Sequence, residues 1–163
     1  MTSFWQIDYF YGKEKKQMLA IQQASLANVD VIARLFDAYR QFYKQASDLE
    51  AAFDFLKDRL DNHESVIFVA YWKGVPVGFV QLYPIFSSVS MKRVWLLNDL
   101  YVQEDYRNKG IGNELLEVAK AHGRATSAKG LLLETAYDNF TSQSVYENNG
   151  WVKENNFFYW FGL

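Results

Sequence analysis

The 163-residue sequence has no cysteine, which rules out disulfides, thiolate metal sites and a cysteine nucleophile. Histidine is almost as scarce. His63 and His122 are the two present, and their separation suggests no zinc site. An excess of positive charge is missing too. The net charge is −2, and the lysines and arginines are scattered, whereas sequence-independent nucleic-acid binding favours a basic stripe. No apolar run approaches the roughly 18 residues that suggest a membrane span, and the N-terminus lacks a charged-then-apolar export pattern. These absences predict a cytoplasmic protein with no metal, no nucleic-acid partner and no membrane partner. Only two prolines occur, and no stretch rich in Pro, Gly or Ser divides the chain. Half of the residues are apolar, so the chain is not disordered and can bury one ordinary core.

Aromatic residues are abundant: 13 Phe, 11 Tyr and 5 Trp. Most suit a core, and some suit a cleft or a subunit interface. The run Asn156-Phe157-Phe158-Tyr159-Trp160-Phe161 would place rings on both faces of a strand. Left open, such a strand aggregates. We therefore expect it to be covered, either by a second copy in a homodimer or within the one chain.

Read for period, the chain gives strands over residues 18–22, 66–72, 77–83, 92–102 and 130–135. Helices are expected over 28–43, 47–61, 111–126 and 141–149, and one or two aromatic strands over 151–161. Asn28 is placed as the cap of the first helix. Ser47, with Glu50 three residues on, is placed as a capping box for the second. Lys73-Gly74-Val75-Pro76 reads as a hairpin turn, so the strands from 66 to 102 form an antiparallel meander. The apolar strand 130–135 suggests burial on both faces and parallel pairing. Residues 1–17, with their charged Lys13-Glu14-Lys15-Lys16, read as an N-terminal extension. Residues 18–163 read as a single α/β domain with a mixed sheet flanked by helices.

The stretch Arg107-Asn108-Lys109-Gly110-Ile111-Gly112 joins an expected strand to an expected helix. Gly110 and Gly112 remove Cβ atoms where a ligand would approach the main chain. The first turn of the helix leaves backbone N–H groups without partners, at the positive end of the dipole. Arg107 and Lys109 add charge. A pyrophosphate fits such a place, and so does an ordinary loop opening a helix. There is no Gly-x-x-x-x-Gly-Lys-Ser/Thr, and no Gly-x-Gly-x-x-Gly follows a strand directly. Neither a P-loop nor a dinucleotide fold is supported.

Three blocks in order make the chain resemble the GNAT superfamily of acetyl-CoA-dependent N-acetyltransferases. Residues 98–112, Asn-Asp-Leu-Tyr-Val-Gln-Glu-Asp-Tyr-Arg-Asn-Lys-Gly-Ile-Gly, are similar to its Arg/Gln-x-x-Gly-x-Gly/Ala signature. Residues 131–135, Leu-Leu-Leu-Glu-Thr, are like its fifth strand. Residues 139–151, Asn-Phe-Thr-Ser-Gln-Ser-Val-Tyr-Glu-Asn-Asn-Gly-Trp, resemble its Asn-x-x-Ala-x-x-x-Tyr-Glu-x-x-Gly-Phe block, with Ser142 for the usual Ala and Trp151 for the usual Phe. The resemblance implies a splayed, parallel pair of strands forming the cofactor cleft. Leu100, Tyr101 and Val102 would hold the pantetheine arm by backbone hydrogen bonds, as an added strand. The N–H groups of Arg107, Asn108, Lys109, Gly110, Ile111 and Gly112 would hold the pyrophosphate. Asn139, Ser142 and Tyr146 would line the cofactor from the third block.

The reaction so implied needs a neutral amine and a protonated leaving thiolate. An alkylammonium titrates near pKa 10.4, on the order of its usual value, so a base must take a proton. Asp99 and Glu134 are the candidate bases, and the Tyr146 phenol is the candidate acid, placed by its match to the third block. Strand alternation puts Asn98 and Asp99 on opposite faces. Tyr39 and Tyr83 either shape the acceptor pocket or pack. Asp37, Asp48, Glu50 and Asp54 are acidic residues within reach of a cationic acceptor. The expected activity is direct acetyl transfer from acetyl-CoA, as co-substrate, to a primary amine of a small molecule, amino acid, polyamine or protein lysine. The alternative is a non-catalytic acyl-CoA-binding or sensing module on the same fold.

Overall fold

A two-residue turn organises the middle of the sheet. Lys73 and Gly74 have φ of 51° and 81°, the left-handed pair of a tight hairpin, which Gly74 adopts without a Cβ penalty. In the computed structural model, which describes residues 18–163, this turn joins β2 (Val66–Trp72) to β3 (Val75–Ser87). β3 thus starts earlier and ends later than its apolar alternation suggests. β4 (Lys92–Val102) returns antiparallel beside it, β1 (Leu19–Gln23) pairs antiparallel with β2, and β5 (Leu131–Leu133) pairs parallel with β4. The strand order is β1-β2-β3-β4-β5. The expected meander and the mixed α/β sheet are present. The extension 1–17 lies outside the described residues.

Side-chain alternation sends each strand's residues to two helical layers. α1 (Val29–Phe42) and α2 (Leu49–Asp61) cover one face, packing Ile32, Leu35 and Leu56 against Ile67, Val69 and Phe79. α3 (Ile111–Ala125) covers the other, packing Ile111, Leu115, Leu116 and Ala119 against Phe68, Ala70, Val80, Leu82 and Leu97. Val145 and Tyr146 of α4 (Phe140–Asn148) join its margin. Each such buried aliphatic side chain stabilises by roughly 1.5–3 kcal/mol.

The helix caps differ from the sequence reading. Asp48 caps α2, its side chain accepting from the Ala51 N–H at 3.0 Å. Ser47 is drawn to a stronger partner, donating its hydroxyl to Asp37 at 2.7 Å. Gln41 Nε2 and the Asp48 N–H also donate to Asp37, at 2.9 and 2.8 Å. Burial raises the pKa of this carboxyl, but the hydrogen bonds from Asp48, Ser47 and Gln41 outweigh it and hold the group below its ordinary value. Asp37 is therefore a clamp between α1 and the start of α2. Asn28 precedes α1 without a side-chain cap bond, and its Oδ1 accepts from the Ser25 N–H at 3.0 Å.

Two further expectations are corrected. β5 is three residues long, and Leu132 is 43% exposed. It is buried on one face only, because α1 and α2 pack over the other strands and leave its second face open. Residues 151–163 form no strand. Phe157, Phe158, Tyr159, Trp160 and Phe161 are exposed, so the described residues do not cover them. A three-residue edge offers few ladder bonds, and an unbroken run of rings has no inner and outer face to fix a register. Among the described residues, no helix is long and apolar enough to cross a membrane.

Candidate active site at the cleft between β4 and β5

β4 and β5 part company halfway along β4. Pairing is confined to Trp95–Leu97 with Leu131–Leu133, while β4 runs on to Val102. Residues 98–102 thus have an open backbone edge on that side. A bulge marks the parting. Gln81 pairs with Asp99 but Leu82 pairs with Leu97, leaving Asn98 unmatched. Such an extra residue bends a strand and re-aims its side chains. This overturns simple alternation here: Asn98 Nδ2 donates to Asp99 Oδ1 at 3.1 Å. Beyond the bulge, Leu100 and Val102 pack on the α3 side, while Tyr101 packs on the α1 side.

The open edge leads into the loop before α3. A turn of 3-10 helix (Glu104–Tyr106) is followed by Asn108 with φ 59° and Gly110 with φ 73°. Gly110 occupies the cap position of α3 in a left-handed conformation that suits a residue without Cβ. A Cβ added at Gly112 would meet nothing within 4 Å, so its smallness serves no internal contact and leaves the approach to the helix start clear. Among the described residues, none accepts a hydrogen bond from the backbone N–H of Asn108, Lys109 or Gly110. The N–H groups of the first α3 turn are unpartnered by construction. Two cations stand at the rim. Arg107 Nε donates to the Val102 carbonyl at 3.0 Å, and its guanidinium lies 5.3 Å from the Phe42 ring centre. Lys109 Nζ donates to the Asp105 carbonyl at 2.5 Å. Open N–H donors, a helix N-terminus and two cations fit a diphosphate.

Comparison with known proteins bears on this geometry. The model of the acetyltransferase (GNAT) family matches residues 32–151, which spans the cleft and the loop. The chain belongs to the acetyltransferase (GNAT) family. It is similar to an uncharacterised N-acetyltransferase of Bacillus subtilis, 50% identical over 137 residues, covering 84% of this chain and 92% of that protein. It also resembles a crystal structure of a probable acetyltransferase at TM-score 0.82 and 41% identity, covering 88% of this chain and 97% of the other. An aminoglycoside N-acetyltransferase in complex with CoA shares the fold at TM-score 0.75 and 17% identity, covering 88% and 94%.

Within this acetyltransferase, Asp99 is 4% exposed and faces the α1 layer. Burial raises its pKa, against the opposing effects of Asn98 and Tyr39. Its Oδ1 accepts from Asn98, and the Tyr39 hydroxyl is a second hydrogen-bond neighbour of the carboxylate. Across the strand pair, Gln81 is fully buried, with the Tyr83 hydroxyl as its side-chain neighbour and its Oε1 met by no donor. Tyr39 of α1 and Tyr83 of β3 close around the same carboxylate. Their phenol pKa values are raised, first by burial and then by the Asp99 charge. The Tyr39 ring meets Tyr43 at 5.0 Å and Tyr101 at 6.0 Å between centroids. On α4, Tyr146 packs 6.2 Å from Trp151, and burial, then the nearby Tyr43, raises its pKa. Tyr39 thus links Asp99 to the Tyr43 ring on the α1 side, while Tyr146 packs with Trp151 on the α3 side.

The remaining expected residues are placed differently. Glu134 follows β5 and is exposed, and among the described residues no contact brings it to Asp99. Asn139 caps α4, its Oδ1 accepting from the Ser142 N–H at 3.1 Å. Asp37 and Asp48 are engaged in the α1–α2 clamp and the α2 cap, which removes them as ligands for an acceptor. Glu50 and Asp54 stand exposed on α2. Gln81 and Tyr43 were not singled out from sequence. The available signal for Gln81 was a lone amide inside the apolar strand Gly-Phe-Val-Gln-Leu-Tyr.

Proposed function

We propose that this acetyltransferase is an N-acetyltransferase that moves an acetyl group from acetyl-CoA directly to a primary amine. The observation that carries the reading is the open edge of β4 beyond Leu97, running into a loop of unpartnered N–H groups at the α3 N-terminus. Bound acetyl-CoA supplies an activated thioester. The backbone of Leu100, Tyr101 and Val102 holds the pantetheine arm, and the N–H groups of Asn108 to Gly112 hold the diphosphate, the Arg107 N–H being given instead to the Glu104 carbonyl. Asn139 and Ser142 border the arm from the start of α4. Asp99 Oδ2 takes a proton from the acceptor amine, and the Tyr146 hydroxyl gives one to the departing sulfur. Glu134 has a lesser place in this scheme because it is exposed and apart. The CoA-bound aminoglycoside enzyme supports the cofactor by likeness of fold. The acceptor is a primary amine of a small molecule, amino acid, polyamine or protein lysine, no metal takes part, and the work is done in the cytoplasm. A second copy of the chain covers the C-terminal rings.

The test is release of free thiol from acetyl-CoA with a panel of amines. Tyr146→Phe should lower kcat by about a hundredfold or more while calorimetry shows CoA binding unchanged. Gly110→Val should weaken CoA binding, whereas Gly74→Val, equally strained but on the remote hairpin, should not. Tight CoA binding with no thiol release from any amine would instead support an acyl-CoA-binding module.

A further inference from the structure

The acceptor end of the cleft is made of groups that attract positive charge. We infer that the acceptor is an ammonium whose amine-bearing carbon carries no carboxylate. The inference rests on the acetyl-transfer reading above and names the substrate class of that site.

Asp99 and Gln81 are buried residues directly paired across β4 and β3. The carboxylate has Asn98 and Tyr39 as its hydrogen-bond neighbours, and Gln81 Oε1 is left without a donor, which calls for a polar occupant. Tyr101 and Tyr43 pack around the Tyr39 ring. Aromatic faces and carboxylate oxygens favour a cation, and an ammonium brings N–H donors to acceptors that lack them. The half-buried rings keep water sparse, so charge matters more there than at the surface.

An α-carboxylate on the same carbon would need a counter-charge. Among the described residues, Arg59 of α2 is the cation whose charge reaches Tyr83. It is already ion-paired with Glu64 at 2.5 Å and lies 5.1 Å from the Phe55 ring centre. Arg107 belongs to the phosphate end, bonded to the Val102 carbonyl. A carboxylate entering beside Asp99 would meet a like charge with no partner, which is strongly unfavourable in a desolvated site. Gln81 Nε2, with Tyr83 as its neighbour, is a neutral donor and no counter-ion.

The experiment compares amino acids with the amines left when their carboxylate is removed: ethylamine against alanine, and tyramine against tyrosine. Thiol release gives kcat/KM, and calorimetry on the CoA-loaded protein gives binding of each acceptor. In each pair the amine should exceed the amino acid by at least about tenfold in kcat/KM, the equivalent of one lost favourable charge contact, and should bind more tightly. Equal or better use of the amino acid overturns the inference and leaves acetyl transfer standing. Thiol release from none of the four, with CoA still bound, overturns both.

Discussion

The Asp99 carboxyl is 4% exposed, and burial lifts its pKa above the ordinary 3.8 despite its neighbours Asn98 and Tyr39. Two consequences have opposite signs. As a base it works ionised, so kcat/KM should fall about tenfold per pH unit once pH drops below the raised value. As a structural group it weakens the fold when ionised. Because the folded pKa lies above the unfolded one, stability rises as pH falls through the folded value and levels off below 3.8. Asp99→Asn should therefore lower kcat/KM by about a hundredfold or more and abolish the acid limb, while raising Tm at pH near 7. The measurements are a pH–rate profile and a thermal melt. An unchanged rate would remove Asp99 as the base, and a lowered Tm would contradict the cost of burying its charge.

At the scale of elements, the helix pair α1–α2 hangs on Asp37, which receives Gln41, Ser47 and the Asp48 N–H. Asp37→Asn replaces an acceptor oxygen with an NH2 group facing donors. It should destabilise by roughly 1–3 kcal/mol, the cost of leaving buried donors unmet. With a folded pKa below 3.8, the contribution of Asp37 is complete above 3.8 and fades as pH falls through the lower folded value. Denaturant unfolding at neutral and acid pH would show the gap between wild type and variant closing in acid. This clamp also shows what sequence could and could not reveal. The block from Asn98 to Gly112 was legible because its chemistry is local, a strand end, a tight loop and a helix start within one window. The positions of α1, α2 and the meander were legible from period. Asp37 looked like a free surface acid because its partners Ser47 and Asp48 meet it only after the chain reverses between helices. Tyr39 and Gln81 become neighbours of Asp99 only through tertiary packing and the Asn98 bulge, which no spacing rule announces.

At the scale of the whole molecule, the unresolved tension is between the cleft-bearing core and the C-terminal segment. Phe157, Phe158, Tyr159, Trp160 and Phe161 lie exposed, and β5, the last strand of the sheet, is paired on β4 alone. Covering each ring is worth roughly 1.5–3 kcal/mol. Five rings together are of the same order as the roughly 4–15 kcal/mol that association costs, so a two-fold dimer sealed by this segment is within reach at micromolar concentration. Neither face of the run is polar, so partial burial against one's own sheet would still leave rings in water, whereas an isologous pair can cover both faces. Light scattering at micromolar protein should give about twice the 19.0 kDa of one chain. Removing residues 157–163 should give a monomer that keeps CoA binding, because the loop at Gly110 and the edge of β4 lie in the intact core. A full-length chain that scatters as a monomer would mean that the rings fold onto their own sheet, and a monomer from the shortened chain that no longer binds CoA would tie the segment to the cleft rather than to a partner.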